Sequence, residues 1–215
     1  MDRIDLRDLS RIYFDVLKLS YSLGAAPEDL REYLDPAVDL YVEYQREDGR
    51  MKSASKGQIY SWQELPTRQI NAAQLLSVVV VIGTPEQRAR IGEVLEVRGP
   101  EPVLEFLAGL RDDSIDGAEA GDYPPRPYGR LLKVIQAAPE KRPKLMADFV
   151  KHWYNGCRKA QWWGDHLSGP RRGKPVVYSG YWCFEAAAVT QLLGIDDSLY
   201  RDNEYYPRDI FIKRD

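Results

Sequence analysis

The run Leu75–Ile82 (LLSVVVVI) constrains the fold more than any other stretch of this sequence. It is the longest apolar segment, and it falls far short of the roughly 20 residues that a membrane-spanning helix needs, so it belongs inside a protein core. Valine favours strands, and the run alone permits either a strand or a helix. Upstream, the pattern from Thr67 is helical, and Gly83-Thr84-Pro85 supplies a stop. Residues 67–82 are therefore expected to form a buried helix. A core to receive it is available, since the 215 residues are 44% hydrophobic and 29% charged, near the averages for globular chains.

Helical periodicity recurs on either side of this segment. Leu6, Leu9, Ile12, Tyr13, Val16, Leu17 and Leu19 follow three- and four-residue steps, and Gly24 stands where a C-cap glycine belongs. Pro27 is expected to open a second helix, with Glu28 and Asp29 in the first turn where the helix dipole favours carboxylates. Pro36 should kink or divide that helix before the stripe Val38, Tyr41, Val42 and Tyr44, and residues 47–63 read as an exposed connection. Pro85 and Pro100 read as first-turn prolines of short helices ending near Arg98 and Leu110. Further helices are expected at 128–138, 142–164 and 177–193. No Rossmann fingerprint, P-loop or repeat is present. The fold expected is an all-α bundle of about seven to nine helices with no substantial sheet. It would comprise an N-terminal helical region (1–110), an acidic loop (111–127) and a C-terminal helical region (128–215).

Net charge is −3, from 30 basic and 33 acidic residues, so no basic excess points to nucleic acid. The opening MDRIDLRDLSRIYFDV is charged throughout and lacks the apolar stretch of a signal peptide. Two cysteines are too few for a disulfide framework. These features point to a cytoplasmic protein without membrane contact.

Four of the five tryptophans, Trp153, Trp162, Trp163 and Trp182, lie in the C-terminal third. Met146, Phe149, Trp153, Cys157 and Ala160 share a helical face by spacing, as do Trp182, Ala186, Val189 and Leu193. Gly156, Ala160 and the run Ala186-Ala187-Ala188 suit close helix approach. The two helices read as antiparallel partners joined by the loop 167–175. His152 and His166 with Cys157 and Cys183 match no common structural-zinc spacing, so no metal is expected, and no nucleophile with an orienting partner and oxyanion loop is evident. Glu185 shares a face with Tyr181, Ala188 and Leu192, and a carboxylate buried there needs a clamp from an arginine, tyrosine or histidine of a neighbouring helix. Asp165-His166 is expected at a helix end, as a cap or a core-edge hydrogen bond.

The same third of the chain also resembles a known family. Trp153, Tyr154, Gly156, Ala160, Trp162 and His166, then Gly180, Tyr181, Trp182, Phe184, Glu185 and Ala186–Ala188, then Gly194, Ile195, Asp196, Asp197, Tyr205, Tyr206, Pro207 and Asp209 follow in order a pattern similar to the C-terminal domain of the PoNi bacterial immunity proteins. YSLG at Tyr21–Gly24 resembles the N-terminal domain of that family in shortened form. The resemblance implies a helical protein that binds and neutralises a cognate PoNe-type toxin, a DNase of the PD-(D/E)xK kind delivered between competing bacteria. It implies no cofactor and no catalysis.

Under that implication the segment RDDSIDGAEAGDYPPRP (111–127) becomes a candidate contact. A nuclease presents a basic surface, and Asp112, Asp113, Asp116, Glu119 and Asp122 would steer it, with Tyr123 and Tyr128 as flanking anchors. Two other readings stay open: a small helical enzyme with a site near Asp165, His166 and Glu185, or a helical adaptor.

Overall fold

The computed structural model describes residues 5–54, 65–95, 102–113, 127–160, 162–167 and 180–211, and among these no strand occurs. Eight α-helices are present there: α1 Leu6–Ser22, α2 Arg31–Ala54, α3 Leu65–Ile82, α4 Pro85–Leu95, α5 Pro102–Ala108, α6 Gly129–Gln136, α7 Arg142–Gly156 and α8 Phe184–Leu193. Short 3₁₀ turns occupy Pro139–Lys141 and Asp165–Leu167. No helix of the described residues is long and apolar enough to cross a membrane.

The ends of α1 are set by its own sequence. The Asp5 carboxylate accepts from the Asp8 backbone N–H at 2.8 Å, which satisfies a donor that the first turn leaves open. At the other end Gly24 takes φ +89°, and the N–H groups of Gly24 and Ala25 reach back to the carbonyls of Tyr21 and Ser20. This is a Schellman closure that a side-chained residue would adopt only with strain. The buried side of α1 is Ser10, Phe14, Leu17, Lys18 and Tyr21, packed along α2. Ile12, Tyr13, Val16 and Leu19 face solvent, so the apolar spacing of α1 identifies the helix but not its buried face.

Residues 27–30 form tight turns with i→i+3 bonds, and α2 begins only after them, not at Pro27. Pro36 does not divide α2. It lies near the N-terminal end, where its missing N–H forfeits a single ladder bond. The helix then continues to Ala54, so the first part of the expected 47–63 connection is helical; residues 55–63 lie outside the described residues.

The valine-rich run is the C-terminal half of α3. Ile70, Ala73, Leu76, Ser77, Val78 and Ile82 are all 1% exposed or less and point around the whole circumference. Neighbours on every side, α2, α4, α5 and α8, explain why a helix apolar all round is stable here. Arg31 caps its last carbonyl, donating from Nε to the Ile82 oxygen at 2.8 Å. Thr84 and Gln87 then start α4 as a reciprocal capping box, with bonds of 3.2 and 3.0 Å.

Three expectations for the C-terminal third are corrected. The helix from Arg142 stops at Gly156 instead of 164, because Cys157 already closes it with bonds to the Trp153 and Tyr154 carbonyls. The last helix starts at Phe184, not 177: Gly180 takes φ +89° and the Cys183 N–H is drawn to the Tyr205 carbonyl. Finally, α8 packs chiefly along α3 and only slightly against α7, whose main partner is α6. The alanines Ala186, Ala187 and Ala188, all 0% exposed, give α8 its close approach. One continuous core joins residues from Phe14 to Ile210.

Candidate functional site

Glu185 sits in the first turn of α8 with no exposed surface. Its Oε1 accepts from the Tyr128 hydroxyl at 2.7 Å and from the Trp153 indole N–H at 3.4 Å, while Oε2 has no hydrogen-bond partner. Burial pushes its pKa up to about 7, against the opposing pull of its own backbone N–H, Tyr128 and Trp153. The expected clamp is thus realised with a tyrosine and, unforeseen, an indole. Tyr128 is correspondingly a core residue, 3% exposed, and not the surface anchor that its place beside the acidic segment suggested. Burial, and next the Glu185 charge, push the buried thiols of Cys157 and Cys183 well up, which keeps them protonated and poor nucleophiles.

The triad Asp165, His166 and Glu185 is not assembled. His166 lies at the surface, its Nδ1 2.8 Å from the Tyr181 hydroxyl, which also accepts from the His166 backbone N–H at 3.3 Å. Tyr154 stacks between Trp163 and Tyr205 nearby, with ring centroids 5.5 and 5.3 Å away. His152 is held separately by Asp148 on α7. Among the described residues, no group of three or more His, Cys, Asp or Glu side chains is placed to hold a metal.

Of the acidic segment, Asp112 and Asp113 are described and exposed; Asp116, Glu119, Asp122 and Tyr123 lie outside the described residues. Asp113 is committed to Arg142 at 2.6 Å, and Arg142, only 8% exposed, also donates to the carbonyls of Ala137 and Ile135. The far end is fastened as well. Pro127 fills the space above Gly156, where an added Cβ would come within 3.1 Å of the proline Cβ. Both ends of the segment are therefore tied to α6 and α7.

A further feature escapes linear reading: an open cleft of about 270 Å³ with Tyr21 and Trp182 at its floor. The two rings meet edge to face at 4.9 Å, and the Trp182 N–H donates to Ser22 Oγ at 2.8 Å. Gly180 makes this possible, since a Cβ there would run into Ser22 Oγ and lie 2.6 Å from Trp182 Nε1. Around the rim stand Arg201, Asp202, Glu204, Arg208 and Asp209. Arg208 bridges Asp202 at 2.9 Å and Asp209 at 3.6 Å.

The model for the family described as PoNe immunity proteins (PoNi), C-terminal, matches residues 101–210, which takes in α5 and the acidic segment as well as α6 to α8. No curated protein matches the chain significantly. Among solved structures, the crystal structure of protein PA2201 from Pseudomonas aeruginosa is similar, with a TM-score of 0.63 and 19% identity over 95% of this chain and 72% of that one. At that identity the likeness concerns the fold alone.

Proposed function

The chain belongs to the family of PoNe immunity proteins (PoNi), and from that membership we propose that it binds and neutralises a cognate PoNe-type nuclease toxin through a protein–protein interface, without catalysis of its own. The family match over residues 101–210 is the observation that carries this reading. The sealed Glu185 carboxyl and the buried, protonated thiols support binding over catalysis. The partner is a DNase domain, whose DNA-binding face is basic, and the protein acts in the cytoplasm, where DNA needs protection. The acidic segment, with Asp112, Asp116, Glu119, Asp122 and Tyr123, is the proposed steering contact. Asp113 serves as its anchor through Arg142.

The test is direct. The chain should co-purify with its cognate PoNe-type nuclease toxin and protect cells that express that toxin. Neither co-purification nor protection would end the proposal.

A further inference from the structure

Segments far apart in the chain meet at the Trp182 cleft. Tyr21 and Ser22 come from YSLG, Gly180 and Trp182 from GYW, and Tyr206 and Asp209 from the YYPRD ending. Arg201, Asp202, Glu204 and Arg208 complete the rim.

The chemistry of the cleft favours a cation. Its floor is aromatic, and its rim holds three carboxylates against two guanidiniums. Arg208 is already occupied by Asp202 and Asp209, whereas Glu204 is exposed and makes no ion pair among the described residues. The Trp182 indole is oriented in advance by Ser22, so a ligand stacking on it has little ordering left to impose. A protein surface evolved to meet DNA phosphates is rich in arginine and lysine.

We propose that this cleft is a toxin contact, in which a basic side chain of the nuclease lies over the Trp182–Tyr21 floor and is selected by the rim carboxylates. The proposal rests on the immunity reading above. It is tested by titrating the cognate PoNe-type nuclease domain into wild-type protein and into the rim variant Asp202→Lys/Glu204→Lys, at low and high salt. Both positions are exposed, so the variant should unfold at the wild-type temperature. The expected result is an affinity weakened by about tenfold or more with a shallower salt dependence. The Trp182 indole N–H resonance, assigned with Trp182→Phe, should also shift when the domain is added to wild type. Unchanged affinity and an unmoved Trp182 resonance, with the wild type binding normally, would overturn the cleft proposal alone. Absence of any binding by wild type would overturn the immunity reading and the cleft proposal together.

Discussion

Glu185 makes one carboxyl oxygen serve two donors and leaves the other bare, in a site without water contact. Its pKa is raised from 4.5 to about 7, with burial as the main cause. Between those values the unfolded chain releases the proton and the folded chain keeps it. Stability therefore falls as pH rises through this window and levels off above it. Measured by urea unfolding between about pH 5 and about pH 8, this group should cost the wild type roughly 2–3 kcal/mol. Glu185→Gln has no proton to lose and should be flatter by that amount; identical pH dependence in the two proteins would contradict the account. The apolar helical face around Glu185 marked it as a buried carboxyl, so this residue was legible. Its partners were not. Tyr128 and Trp153 stand 57 and 32 positions away, and no local period links them to it.

Helices were legible where ends and periodicity are written locally. Gly24 ends α1 as expected, and the run to Ile82 is a helix. The boundaries that failed involve distant partners: α7 closes at Gly156 through the Cys157 N–H, with Pro127 packed against that glycine, and α8 starts only at Phe184, after the Cys183 N–H has bonded the Tyr205 carbonyl. The buried face of α1 was equally hidden, since Val16 and Leu19 are as apolar as Leu17 and only the position of α2 chooses between them. Buried Lys18 shows the same dependence on context: its ammonium pairs with Asp15 at 2.7 Å and lies over the Phe14 ring. The start of α4 is purely local, and it makes a clean test at this scale. Thr84→Ala removes the hydroxyl that caps Gln87, and should cost about 1 kcal/mol, or roughly 2–4 °C in thermal unfolding. A variant as stable as wild type would mean that the box contributes nothing.

At the scale of the whole molecule, α3 joins the first helices to α8, and the acidic segment, which follows α5, has both its ends held against α7, at Arg142 and at Gly156. Its charge pattern was readable in sequence, but the loss of Asp113 to Arg142 was not, because that pair spans 29 residues. The reversal that isolates steering is therefore Asp116→Lys/Glu119→Lys/Asp122→Lys, which spares the anchor. It should slow toxin association by about tenfold or more at low salt and far less at high salt; an unchanged on-rate would remove the segment as the steering element. The cleft was the least legible feature, since the Trp182 of its floor is oriented by Ser22, 160 positions away. The central claim is neutralisation by binding, and DNA cleavage by the proposed cognate PoNe-type nuclease, titrated with this protein, addresses it most directly. The account predicts that cleavage falls in proportion to added protein, ends at a fixed molar ratio and does not deepen with incubation time. Full cleavage in the presence of excess protein, or a time-dependent loss at amounts well below stoichiometric, would contradict it.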